Sequence, residues 1–187
     1  MDEVGRGAWA GPLVAAAVVL PADYRLRQLR DSKLLTAAAR GKLDQRIREK
    51  AVAFGIGVVE IGELNRNGFP WALRQSGVRA IRELAPAPDR VLLDGRYDYL
   101  AGEFACETIV GGDGTELCIA AASIVAKVHR DGLMVELHET YPAYGFAAHK
   151  GYGTAAHRAA LKQHGPCSLH RSQWKPINAL LQQELSF

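Results

Sequence analysis

The sequence is short of most features that mark a special class of protein. Its 187 residues include only three cysteines, Cys106, Cys118 and Cys167. They are too few and too far apart for a disulfide framework or a paired zinc knuckle. No run of about 20 apolar residues occurs, so no transmembrane helix is expected. The N-terminus opens on Met1-Asp2-Glu3, two acids where a signal peptide would carry a basic region. Neither sign of charge dominates: 23 basic and 20 acidic side chains give a formal net charge of +3. That excludes a histone-like polycation but permits a local basic face. Repeats and low-complexity segments are also missing. A cytoplasmic protein without membrane contact is expected.

What is present is the composition of a globular domain, 48% hydrophobic and 23% charged. The length predicts one domain over 1–187, able to bury roughly 70% of its unfolded surface. Gly11 to Leu20, a β-branched apolar run, reads as a buried strand. Ser32 to Ala51 has helical period, with Thr36 a candidate N-cap. Val52 to Ile61 reads as a strand whose glycines mark a bulge or a close neighbour. Trp71 to Leu84 is helical. Val91 to Leu93 and Glu103 to Val110 are strands, each followed by glycine. Ile119 to Val128 is apolar almost all round and reads as a buried helix. His157 to Gln163 and Ile177 to Leu185 complete the helices. This order predicts an α/β fold, a mixed central sheet flanked by helices, with a helical part from about residue 132.

Carboxylates fall where these elements begin or end. Asp94 follows the strand Val91-Leu92-Leu93; it is either a turn-forming Asp before Gly or a ligand at a strand rim. Asp113 is either the N-cap of the buried helix, with Glu116 completing a capping box, or a ligand. Asp2 and Glu3 precede Gly5-Arg6-Gly7. Four acids at element ends suit hard divalent cations, which bind through carboxylates and substrate phosphate. Two such ions can activate a water and stabilise a leaving 3′ oxygen. One difficulty is physical. Neighbours on a regular strand point to opposite faces, so Asp2 and Glu3 can share a centre only where the strand is irregular. The Gly5-Arg6-Gly7 turn lets backbone approach a ligand, and Arg6 can meet a phosphate bidentately.

From Tyr141 onward the charges turn basic: Lys150, Arg158, Lys162, Arg171 and Lys175 against Glu184, with His149, His157, His164 and His170 among them. Such a stretch attracts phosphate backbones, and interleaved aromatics can stack on bases or sugars. Tyr141, Phe146 and Trp174 read as core. Tyr152, in His149-Lys150-Gly151-Tyr152-Gly153, reads as exposed. His149 is a candidate proton shuttle.

Together these segments resemble type 2 ribonuclease H, the bacterial ribonuclease HII family. The resemblance is carried by Asp2-Glu3-Val4-Gly5-Arg6-Gly7, Asp31-Ser32-Lys33, Leu92-Leu93-Asp94-Gly95, Gly112-Asp113, the run Ala120 to Asp131, the run Tyr144 to Tyr152, and His170-Arg171-Ser172, in that order. It implies an RNase H-like fold with a C-terminal helical extension. It implies an endonuclease that hydrolyses the RNA strand of RNA–DNA hybrids and cuts 5′ of ribonucleotides embedded in duplex DNA, as ribonucleotide excision repair and DNA replication require. Products would carry 3′-OH and 5′-phosphate ends. By motif, Asp2, Glu3, Asp94 and Asp113 would hold two Mg²⁺ or Mn²⁺ ions. Gly5, Arg6 and Gly7 would sense the 2′-OH, and Tyr152 would stack on the sugar of the next deoxynucleotide. Ser32, Lys33, Lys127, Lys150 and Arg171 would be phosphate or support positions. Asp131 reads as structural, on a turn past the buried helix.

The resemblance also implies several residues before the Asp-Glu pair, where this sequence has Met1 alone. The expectation is a first strand cut short, Asp2 less well anchored, and a free α-amine beside the acids. An alternative follows: a nucleic-acid-binding module of the same fold with impaired catalysis. The chain is expected to act as a monomer. Its end, Gln182 to Phe187, is faintly similar to a sliding-clamp peptide without matching its full pattern, and reads as an ordinary amphipathic end.

Overall fold

The computed structural model describes residues 1–25 and 36–184. Ser32 and Lys33 therefore lie outside the described residues. Five strands and eight helices follow in chain order among those described: β1 (Asp2–Val4), β2 (Leu13–Val19), α1 (Ala37–Lys50), β3 (Ala53–Val59), α2 (Ile61–Asn67), α3 (Phe69–Arg82), β4 (Val91–Asp94), β5 (Cys106–Ile109), α4 (Gly112–Thr115), α5 (Leu117–Thr140), α6 (Phe146–His149), α7 (Ala155–His164) and α8 (Lys175–Glu184). A 3₁₀ turn, Pro142–Tyr144, precedes α6.

β2 pairs antiparallel with β1, Asp2 opposite Ala16, and with β3, Leu13 opposite Val59. β4 pairs parallel with β5, Asp94 opposite Ile109. Met1 joins the two sets. Its α-amine donates to Leu92 O at 2.7 Å and its carbonyl accepts from Asp94 N–H at 3.1 Å, the hydrogen-bond pattern of a parallel ladder. The sheet is thus mixed, as the sequence predicts, in the order β3-β2-β1-β4-β5. Met1 itself is 3% exposed. Asp2 is anchored through Met1, whose amine and carbonyl both bond β4, and through its own pairing with Ala16 of β2. The α-amine's pKa is lowered by burial, which opposes its positive charge.

Small side chains on β2 let helices cover both faces of the sheet. Val14, Ala16 and Val18 pack on Leu43 and Ile47 of α1 and on the Ala120–Ala126 face of α5. Ala15 and Ala17 pack with Met1, Val78, Ile81 and Leu93 on the α3 side. The glycines of β3 mark a close neighbour rather than a bulge: a Cβ at Gly57 would lie 1.8 Å from Ser76 O of α3. Thr36 caps α1 as predicted, its hydroxyl accepting from Ala39 N–H at 3.2 Å.

α5 differs most from expectation. Its 24 residues run unbroken through residue 132, about 36 Å at 1.5 Å per residue. Asp131 lies inside it, paired with Lys127 one turn earlier at 2.8 Å, not on a turn beyond the helix. The far part of α5 carries Met134 into a second core with Ala10, Tyr144, Phe146, Leu161, Ile177 and Leu180. This core holds the helical extension.

Candidate active site

The junction of β1 with β4 builds the acidic part of the site. Asp2 is 9% exposed. Its carboxylate accepts from Glu3 N–H at 2.7 Å and from the Ser123 hydroxyl of α5. Burial first, and then the negative charges of Glu3 and Asp94, push its pKa up to about 6. Asp94 closes β4, and its Oδ1 accepts from Gly112 N–H at 2.8 Å. That bond ties the start of α4 to Asp94 and sets half-buried Asp113 next in line. Asp113 is neither the N-cap of α5 nor part of a capping box. It is the second residue of a one-turn helix whose N-cap is Gly111, and Glu116 is the N-cap of α5.

Glu3 turns away from this group. Its Oε1 accepts from Arg6 at 2.9 Å and its Oε2 accepts from the Tyr99 hydroxyl at 2.9 Å. Burial and the adjacent Glu3 carboxylate raise the Tyr99 phenol's pKa. Strand alternation holds, so Asp2 and Glu3 serve opposite faces. Among the described residues, no group of three His, Cys, Asp or Glu side chains stands close enough to bind a metal ion jointly. The donor chemistry nevertheless fits a hard divalent cation. Asp2, Asp94 and Asp113 offer oxygens only, and a cation beside Asp2 would offset the burial and the Glu3 and Asp94 charges that raise its pKa.

The other half of the site is built by two buried arginines. Arg171, 1% exposed, donates Nη1 to Arg6 O at 2.9 Å and Nη2 to Gly5 O. It packs against the Phe69 and Trp174 rings, 5.9 and 5.4 Å from their centroids. Asn65 brackets its backbone, bonding His170 O at 3.0 Å and Ser172 N–H at 3.1 Å. Burial lowers its pKa to about 10. Arg171 is a prop beneath the Gly5-Arg6-Gly7 turn, not a surface phosphate contact. Arg130, fully buried, donates to Pro12 O at 2.9 Å, Lys150 O at 2.9 Å and Ala10 O at 3.1 Å. Its guanidinium lies 5.4 Å from the Tyr152 ring centroid, and Lys127 Nζ lies 5.7 Å from it. Tyr152 is half-buried rather than exposed. Lys150, in a left-handed conformation with φ 52°, turns its ammonium onto Ala147 O of α6.

The histidines of the basic stretch are mostly interior. His149 uses both ring nitrogens, Nε2 toward Tyr144 O at 2.7 Å and Nδ1 accepting from Gly151 N–H at 3.2 Å. It is therefore not placed to shuttle protons. Phe146 is fully buried, while Tyr141 and Trp174 are half-buried against the second core.

Sequence reasoning missed Tyr99, Ser123 and Arg130. Nothing local signals Tyr99. Ser123, Lys127 and Arg130 are spaced i, i+4, i+7, one stripe of a helix, and become visible once α5 is read at full length. Residues 185–187 of the clamp-like tail lie outside the described residues. No described helix is long and apolar enough to cross a membrane.

The sequence matches the family model Ribonuclease HII over residues 1–177. A Ribonuclease HII of Dichelobacter nodosus is 49% identical over 183 residues, 97% of this chain and 95% of that one. Ribonuclease H2 of Pyrococcus horikoshii OT3 superposes with a TM-score of 0.81 at 24% identity, covering 100% of this chain and 97% of the other. The RNase HII of an Archaeoglobus fulgidus PCNA complex gives 0.77 at 26% identity, covering 93% of each chain. A Bst-RNase HIII solved with Mn²⁺ gives 0.68 at 20% identity, covering 97% of this chain and 68% of that one.

Proposed function

The chain belongs to the ribonuclease HII family, a family of metal-dependent endonucleases, and from that premise we propose that it cuts the RNA strand of RNA–DNA hybrids and the 5′ side of ribonucleotides embedded in duplex DNA. The observation that carries the reading is the meeting of Asp2 and Asp94 where β1 joins β4. The firm anchorage of Met1 favours an active site over an impaired binding module.

In this reading Asp2, Asp94 and Asp113 would hold a divalent ion, Mg²⁺ or Mn²⁺, and Glu3, which Arg6 and Tyr99 hold toward the other face, would have to leave those partners to complete the two-ion set. Bound there, such ions supply Lewis-acid activation of water and charge stabilisation at the leaving 3′ oxygen. The chain's own residues do the rest. Gly112 N–H fixes the Asp94 carboxylate, and Ser123 fixes that of Asp2. Arg171 holds the carbonyls of Gly5 and Arg6, so the turn meets the ribose 2′-OH with a preset backbone, the feature that separates RNA from DNA. The exposed Arg6 guanidinium approaches a phosphate. The Tyr152 ring stacks on the following deoxyribose, with Lys127 and Arg130 against it. Water oxygen bonds to phosphorus and the P–O3′ bond breaks. The 3′ oxygen takes a proton, and the products are 3′-OH and 5′-phosphate ends. Lys150 supports α6. The partners are RNA–DNA hybrid and ribonucleotide-bearing duplex; the RNase HII of Archaeoglobus fulgidus, solved in a PCNA complex, is the observation that favours a clamp contact as well.

The test is Asp94→Asn on a duplex with one ribonucleotide. Loss of a ligating carboxylate lowers Mg²⁺-dependent cleavage by more than about 100-fold. Activity within tenfold of the unmodified chain removes the assignment.

A further inference from the structure

The chemistry above makes no use of a buried imidazole stack in the helical extension. The rings of His149 and His157 lie 4.5 Å apart at 13°. Nε2 of His157 faces Nε2 of His170 at 3.0 Å, with the residues 0% and 3% exposed. Two nitrogens at that distance share one hydrogen, and the remaining contacts say where it sits. His157 Nδ1 stands 3.0 Å from Tyr152 O, which can only accept, so Nδ1 carries a hydrogen. In the neutral ring Nε2 is then the acceptor, and His170 Nε2 donates to it. His170 Nδ1 has Cys167 N–H at 3.0 Å and Cys167 O and Sγ at 3.2 Å each; with the hydrogen on Nε2 it accepts from the closer N–H. The links from Tyr152 O through both rings to Cys167 N–H are satisfied with neutral rings. Burial favours that state, lowering His157 to about 4 and lowering His170 as well.

The chain of bonds has a direction in space. One end is the backbone of Tyr152. The other is His170, which bridges to Ala10 and precedes Arg171, the side chain that grips Gly5 and Arg6. The stack therefore links the sugar platform to the ribose-sensing turn through contacts with little freedom to slide.

We infer that His157 is a positioning residue: its Nδ1–H bond to the Tyr152 carbonyl, backed by His170, sets the Tyr152 ring relative to the Gly5-Arg6-Gly7 turn, and so sets the preference for a ribonucleotide–deoxynucleotide junction over continuous RNA. This rests on the reading of Tyr152 as the sugar platform. His157→Asn keeps a donor near the Nδ1 position and loses the nitrogen facing His170. His157→Phe keeps ring volume and loses both. The readout is kcat/KM on a single-ribonucleotide duplex divided by kcat/KM on a continuous RNA–DNA hybrid.

The ratio falls about tenfold or more in His157→Phe and stays within about threefold in His157→Asn. Adding His157→Phe to Tyr152→Ala causes no further loss, since the histidine acts through the tyrosine. Equal effects of Phe and Asn, or none in a folded His157→Phe, overturn the inference and leave a packing role. An unchanged ratio in Tyr152→Ala overturns the platform reading itself, separately. Should His157→Phe fail to fold, long-range ¹H–¹⁵N spectra of the unmodified protein decide. The inference requires His157 protonated on Nδ1 and His170 on Nε2 at neutral pH, and the opposite tautomers overturn it.

Discussion

Asp2 and Glu3 are adjacent in β1, yet their carboxylates are satisfied on opposite faces of the sheet. Ser123 of α5 donates to Asp2, while Tyr99 and Arg6 donate to Glu3. Glu3 is thus compensated by a cation and a phenol. Asp2 is buried beside two further carboxylates with only neutral donors, and it bears the electrostatic strain of the site.

That strain has a pH signature. In the absence of divalent ions the Asp2 carboxyl rises from an ordinary 3.8 to about 6 on folding, which costs roughly 3 kcal/mol of stability once both states are ionised. The folded state holds its proton more tightly. The cost is therefore absent below about pH 4, grows as pH rises toward about 6 and is complete above it. In chelator, Asp2→Asn should melt at a higher temperature than the unmodified chain at pH 8, with the gain vanishing toward pH 4. A gain independent of pH, or a loss at pH 8, would show that Asp2 does not bear the strain.

The glycines of the turn should separate cleanly. Gly5 has φ +93°, and a Cβ there would stand 2.4 Å from Arg130 Nε, whereas Gly7 has nothing within 4 Å. Gly5→Ala combines a left-handed penalty with overpacking and should lose about 2 kcal/mol or more in urea unfolding. Gly7→Ala should stay within about 0.5 kcal/mol and show its effect in ribonucleotide cleavage instead. Comparable stability losses in the two variants would contradict this account of the turn.

Arg171 should behave as a prop. Arg171→Lys replaces a planar fork by a single ammonium and leaves at least one of the Gly5 and Arg6 carbonyls unpaired, at about 2–4 kcal/mol in urea unfolding. The salt dependence of duplex binding should not change. The reverse result, unaltered stability with a salt slope reduced by about 1, would mark Arg171 as a phosphate contact after all.

The sheet and most helices were legible because β2 and the paired elements carry strong apolar patterns. The length of α5 was not. Arg130-Asp131-Gly132 looks like a turn, and only the fold shows that Arg130 is buried under three carbonyls while Asp131 pairs with Lys127. The placing of Asp2, Glu3 and Asp94 on or at the end of strands was legible because strong apolar patterns or glycines flank them. Strand alternation was the difficulty for Asp2 and Glu3 sharing one centre, and the irregularity that the neighbouring glycines would permit does not bring them together; Tyr99, 96 residues from Glu3, carries no local sign of its role. The histidines misled because charge counting treats them as surface cations. In the structure, His157 and His170 are buried and His149 is half-buried, and burial holds all three toward neutrality.

Lys127 is the side chain whose role geometry leaves divided between phosphate and ring. Its ammonium is bound to Asp131 at 2.8 Å, with the side chain 30% exposed, and it lies 5.7 Å from the Tyr152 centroid. A partly exposed lysine beside a nucleic-acid platform can exchange Asp131 for a phosphate at little cost, since such ion pairs contribute about 1 kcal/mol or less. Binding of a ribonucleotide duplex in chelator should then show a log K versus log salt slope shallower by about 0.9 in Lys127→Met. Asp131→Asn, which frees the ammonium, should leave the slope unchanged and strengthen binding slightly. An affinity loss in Lys127→Met that is the same at every salt concentration would place the lysine on the tyrosine ring and not on the backbone.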